Sequence, residues 1–334
     1  MENKPKTAYF QWLRVFAAAA VVIMHTAAKG WNSAPADSGT WLTLTVWESL
    51  VRWPVPVFVM ITGALFLPRK TDLKQVLTRY IPRMAAVWAV WSLIHALQGG
   101  GDVLKTFLAG HYHLWYLPFL CGVYLTIPFL QRIAGDDALT GQLLKVSTVI
   151  SIGIPWLADA LALVPGLEGY VRTVENQLHF TFFFDLLPLL LLGHWLNSHE
   201  LAPKHRHLLY GLGLLGLAVT APATVRVSRW TGRNVTLFFD QAAPNVLLSA
   251  AALFVFARYH LKQLPKWVDF LAKCSFGIYL SHALVIEILE KHAISTVVWN
   301  PLWSVPVLSF AVFSVAALFT AAVRNLPGIG KIVT

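Results

Sequence analysis

The sequence predicts an all-α fold: a polytopic integral membrane bundle of about ten transmembrane helices with both termini cytoplasmic. Three observations lead there. Apolar residues make up 57% of the chain and charged residues only 13%, and the mean hydropathy is +0.60, values foreign to soluble domains. The apolar residues come in runs of roughly 16 to 21, about what a helix needs to cross the hydrocarbon core. Lys and Arg collect in alternate short loops, the bias that orients membrane helices. Residues 1–334 read as a single transmembrane domain, because no loop is long enough to fold as a separate soluble unit.

The first span, residues 9–28, is almost wholly apolar yet carries Arg14 and His25. Eleven steps of about 100° make three turns plus roughly 20°, so both side chains project from one face, roughly 16 Å apart along the axis. Ionisable groups inside a span are costly and are read as functional unless they snorkel to an interface. A polar loop over 29–46 follows, with Pro35, Asp37 and Gly39. The second span, 47–67, opens with Glu48 and Arg52 at i, i+4 spacing, where the two can pair. Pro54 and Pro56 kink it, and Thr62-Gly63 ends it where helices can approach closely. Next comes the densest basic stretch, Arg69, Lys70, Lys74, Arg79 and Arg83, with 72–79 a candidate surface helix.

The third span is 82–97. A loop over 98–113 holds three glycines and His111-Tyr112-His113. Spans four and five are 114–130 and 143–163, followed by a polar loop over 165–179. Span six, 180–195, contains Asp185. Spans seven to ten are 208–223, 244–259, 275–289 and 303–323. The segment 225–243 reads as an outside loop carrying Arg226, Arg229, Arg233 and Asp240. With the N-terminus in the cytoplasm, seventeen of the 26 Lys and Arg fall inside and seven outside, in keeping with the positive-inside rule.

Composition also excludes. The net charge of +10 is scattered through short loops, which argues against nucleic acid as a partner. Fourteen Trp and nine Tyr supply aromatic belts at both interfaces. Cys121 and Cys274 lie in or beside apolar runs, so no disulfide framework is implied. There is no phosphate-binding glycine loop with its Lys, no HExxH and no GxSxG. His25, His95, His113 and His282 sit in or beside spans, but no HxxxH or HxH falls within one helix. No metal is expected, and His95 reads as a packing residue.

An imidazole titrates near 6.5 and suits the removal of a proton from a hydroxyl. A guanidinium deeper on the same face suits an anionic group arriving from the cytoplasm. Together they point to acyl transfer across the membrane, from an anionic thioester to a hydroxyl acceptor. The three outer arginines, Arg226, Arg229 and Arg233, would collect an anionic acceptor, with Asp240 pairing one of them.

Four segments in order carry a family resemblance. They are Arg14-x10-His25; Arg52-Trp-Pro-Val-Pro-Val-Phe-Val-Met-Ile-Thr-Gly63; His113-Leu-Trp-Tyr-Leu117; and Ser275-Phe-Gly-Ile-Tyr-Leu-Ser-His282. They resemble the membrane-bound acyltransferase-3 family, the ten-helix bacterial O-acyltransferases, most of all the single-domain enzymes that O-acetylate surface polysaccharides. Two departures stand out. Thr62 replaces the usual Ser and keeps its hydroxyl, and the basic pair is Arg79-x3-Arg83 in place of a tighter RxxR.

The resemblance implies acetyl-CoA or a related acyl-CoA as co-substrate, with no tightly bound cofactor, and a glycan or lipid-linked sugar as acceptor. It implies His25 as the base, Arg14 at the donor or the reacting centre, and Arg79, Arg83 and Arg52 as donor contacts. His113, Trp115, Thr62 and His282 would shape the site. The implied location is the bacterial inner membrane, among lipids, with oligomeric state left open. The competing class is a transporter or flippase of an anionic or lipid-linked substrate. It fits the intramembrane Arg and His and the prolines of span two, but the two halves show no paired interrupted segments and the spans hold few carboxylates for ion coupling.

Overall fold

The computed structural model describes residues 8–178, 186–327 and 330. Among them the chain is helical and has no strand. Seven helical runs are long and apolar enough to cross a membrane, which makes this a multi-pass membrane protein. Three expected spans fall outside that group. Residues 82–97 and 244–259 lie on shorter or more polar helices, Ile81–Gln98 and Pro244–His260. The span 180–195 is described only from Leu186 onward, and Asp185 lies outside the described residues.

Helix α1 (Ala8–Ser33) is the centre of the bundle. Its alanine-rich middle lets neighbours approach closely, and it packs against helices from both halves of the chain. The expected loop over 29–46 shrinks to residues 34–38, because α2 (Gly39–Leu50) starts at once. Ser38 caps it by accepting from the Trp41 amide, which satisfies one of the donors a helix start leaves open. Trp41 then buries completely and stacks on Trp31 of α1.

The second span is two helices, not one. The chain breaks at Val51–Trp53, and α3 (Pro54–Phe66) begins with proline in its first turn. Pro54 has no amide hydrogen to give to α2, so the hydrogen-bond ladder of α2 cannot run on through it. Helix α3 crosses a later helix at backbone contact. A Cβ on Gly63 would stand 1.9 Å from the Leu190 carbonyl, and one on Gly193 would stand 2.1 Å from that of Met60. The close approach expected of Gly63 is therefore real, and its partner is Gly193.

A short helix α4 (Leu73–Gln75) leads through a π-turn, Val76–Tyr80, into α5 (Ile81–Gln98). The expected loop over 98–113 contains α6 (Val103–Ala109), capped by Asp102, and a 3₁₀ turn, Tyr112–Trp115, that runs into α7 (Tyr116–Ala134). Then follow α8 (Asp137–Thr148), a second π-turn, α9 (Ile154–Ala162) and α10 (Glu168–Leu178). So the expected loop over 165–179 is mostly helix.

Helix α11 (Leu187–Ser198) carries Gly193 against α3. Helix α12 (Pro203–Thr231) overruns the expected span seven by eight residues and takes Arg226 and Arg229 out of the presumed loop. It stops at Gly232, whose φ of 67° is the left-handed conformation that ends helices. Helices α13 (Pro244–His260), α14 (Lys266–Lys291) and α15 (Pro301–Arg324) complete the bundle. The main core gathers Leu13, Met60, Leu190 and Phe254 from α1, α3, α11 and α13. Large apolar side chains such as Phe129, Leu157, Leu214 and Phe310 stay exposed on the periphery, where lipid would replace water as their solvent.

Candidate active site

Helices α1 and α14 run side by side in the same direction. Val15 packs on Val268 and Ala272, Val22 shares a cluster with Ile278, and His25 meets His282. Lys273 therefore lies level with Arg14, and His282 level with His25. Helix α15 returns the opposite way and brings Arg324 back beside Cys274. Helix α3 also descends towards Arg14: its last residue, Phe66, meets Tyr80 edge to face and Tyr124 at a tilt, and Tyr124 lies near Arg14. Arg52, before its first residue, consequently stands at the other end.

Between these helices lies a cavity of about 740 Å³. Its Arg14 end presents Arg14, Arg83, Lys273 and Arg324. Arg14 is half-buried and donates to Gln11 at 3.3 Å. Lys273 pairs with Asp269 at 2.5 Å. Among the described residues the one carboxylate in the lining is Asp240, at the opposite end. There Arg52 pairs with Glu48, as the i, i+4 spacing predicts, and lies 4.2 Å over the Phe239 ring. Glu48 is wholly buried, so the pair holds the break between α2 and α3 together.

His25 faces the cavity between these ends. Its Nδ1 lies 2.6 Å from His282 Nε2. His282 is fully buried, and its own Nδ1 lies 2.6 Å from the Tyr279 carbonyl. A carbonyl only accepts, so His282 Nδ1 carries a hydrogen and Nε2 offers a lone pair. His25 Nδ1 must then donate to it, which leaves the lone pair on His25 Nε2. The arrangement sets a tautomer and a ring orientation, as the third member does in a catalytic triad.

His113 and Trp115 line the wall beside this pair, and Thr62 lines the α3 side. The Tyr279 hydroxyl donates to the His113 carbonyl and ties the wall to α14. His282 does not line the cavity; it lies behind His25. Arg79 is exposed on the π-turn and does not line it either, whereas Arg83 does.

The outer arginines are not gathered at the mouth. Arg229 pairs with Asp37 at 2.6 Å, Arg233 lies 3.9 Å from Glu168, and Arg226 is exposed on α12. Asp240 takes none of them in the described contacts; it accepts from the Ala242 amide and faces Arg52.

Sequence reasoning missed Lys273 and Arg324, which no spacing connects to Arg14. It also treated His95 too lightly. His95 is 4% exposed, stacks on His111 with ring centroids 3.9 Å apart, and shares Glu287 with it.

Residues 7–321, nearly the whole chain, match a family described as an acyltransferase domain. A multi-pass helical bundle bearing that domain is a membrane acyltransferase. More narrowly, the chain belongs to the acyltransferase-3 family. No curated protein and no solved structure matches it.

Proposed function

We propose that the protein is an O-acyltransferase of the bacterial inner membrane. It moves an acetyl or related acyl group from cytoplasmic acyl-CoA to a hydroxyl of a periplasmic or lipid-linked glycan. The observation that carries this reading is the His25–His282 pair, which leaves a basic nitrogen in a cavity whose far end is cationic. The Arg14 end faces the cytoplasm in this account, and its cations suit the phosphates of CoA, bidentately where guanidinium is used.

The acceptor hydroxyl gives its proton to His25 Nε2 while its oxygen attacks the thioester carbonyl. The tetrahedral intermediate collapses, the carbon–sulfur bond breaks, and the CoA thiolate leaves and recovers a proton from His25. His282 holds the ring through both transfers and shares the positive charge that develops on it. Arg52 and Thr62, across the cavity, would orient the acyl group or the acceptor.

The test uses purified protein and acetyl-CoA radiolabelled on the acetyl group. Label moving to an added or co-purified glycan, with CoA released, is the expected result. Slow thioester hydrolysis should persist without acceptor. Protein that releases no CoA and labels no acceptor would sink the reading.

A further inference from the structure

Beside the His25–His282 pair lies a second histidine group that acyl transfer does not use. His95 comes from α5, His111 and His113 from the turn ahead of α7, and one nitrogen of each lies within 4.8 Å of the others. The outer nitrogen of every ring already has an acceptor. His95 Nδ1 faces Glu287 at 3.2 Å, His111 Nε2 faces the same carboxylate at 2.7 Å, and His113 Nε2 faces the Leu280 carbonyl at 3.2 Å. Carboxylates and carbonyls accept hydrogen bonds, so each outer nitrogen is the protonated one.

The inner nitrogens therefore carry lone pairs, and two of them oppose each other: His111 Nδ1 and His113 Nδ1 are 2.7 Å apart. The third, His95 Nε2, is buried with no hydrogen-bond partner. Lone pairs turned on one another and a buried orphan nitrogen both call for a cation among them. Histidine ligands that donate their far N–H to a carboxylate or carbonyl are the usual surroundings of a bound metal.

We propose that His95, His111 and His113 bind a divalent transition-metal ion, with Glu287 orienting two of the three rings. Three neutral imidazoles without thiolate suit Zn²⁺, with the remaining position left to water or another small ligand. The ion would tie α5 and the turn before α7 to α14. It would also hold His113, whose ring centroid is 5.2 Å from that of His282. The proposal does not depend on the identity of donor or acceptor.

The test is metal analysis of full-length protein in detergent, purified without chelator and without an oligohistidine tag, then exchanged into Co²⁺. The expected result is about one Zn²⁺ per chain and a tetrahedral-type visible Co²⁺ spectrum. His95→Ala should lose the spectrum. Glu287→Gln, which removes only the orienting carboxylate, should weaken Co²⁺ binding by about 10-fold to 100-fold. Wild type that stays monodisperse yet binds neither ion overturns the proposal, leaving a proton shared between His111 and His113. Unchanged Co²⁺ binding by monodisperse His95→Ala and Glu287→Gln overturns it as well.

Discussion

The two ends of the cavity are both basic, yet they use their charge in opposite ways. Among the described residues, four cations and no carboxylate line the Arg14 end; one of the four, Lys273, pairs with Asp269 outside the lining. At the Arg52 end, Arg52 pairs with Glu48 and shares the lining with Asp240, while beyond the lining Lys29 pairs with Glu290, Arg229 with Asp37 and Arg233 with Glu168. A cation already facing a carboxylate has little field left for a ligand, whereas several cations around one cavity raise its potential together. Counting positive charge in a loop therefore does not by itself locate a binding site. What separates a ligand contact from a structural pair is whether the cation lines the cavity and whether an acid lines it there too.

His25 stands between the two ends, so its loss tests whether they serve one reaction. His25→Ala should lower the acyl-transfer rate by about 10² to 10⁴-fold, the usual worth of a general base, with the protein still folded and membrane-inserted. Near-normal transfer by this variant would move the chemistry away from α1, with His113 the next candidate.

His282 is the next step down. His282→Phe removes the acceptor for His25 Nδ1 and should cut kcat by roughly 10-fold to 100-fold, since misplacing a reacting group by about 1 Å costs that much. The KM for acyl-CoA should hold, because His282 does not line the cavity. His282→Gln, whose carbonyl can still accept, should recover part of the loss. Equal kcat for all three proteins would reduce the pair to packing.

Arg14→Lys probes the cationic end alone. Losing the planar fork while keeping the charge should raise the KM for acyl-CoA about 10-fold and leave kcat nearly unchanged. Identical KM values for Arg14→Lys and wild type would make Arg14 an interfacial anchor. The smallest effect should come from the paired end. Ala at Arg226, Arg229 and Arg233 together should change acceptor KM less than about threefold, because exposed ion pairs contribute little. A larger, salt-sensitive loss would restore these arginines to the acceptor's path.

Much of this was legible from sequence, for local reasons. Span length and hydropathy place α1, α7 and α15, because a helix satisfies its own backbone wherever lipid replaces water. The shared face of Arg14 and His25 follows from 3.6 residues per turn, and the Arg52–Glu48 pair from i, i+4 spacing. The boundaries were less legible. The break at Val51–Trp53 hid within an apolar run, α2 and α6 began at polar caps that looked like loop, and α10 lay in a polar stretch that read as loop.

What the sequence by itself determined about this protein is the class of fold, the family and a histidine, His25, that lines the cavity. Each is written in nearby residues or in motifs in order. The tertiary structure alone decided which charges are spent on one another and which face the cavity. His25 meets His282 across 257 positions, Arg229 meets Asp37 across 192, and His111 meets Glu287 across 176. Nothing in the spacing of a single helix can state such pairings, because they depend on the direction in which distant helices pack. The parallel course of α1 and α14 sets His282 behind His25, and the antiparallel return of α15 sets Arg324 beside Cys274, in the lining of the cavity that Arg14 also lines.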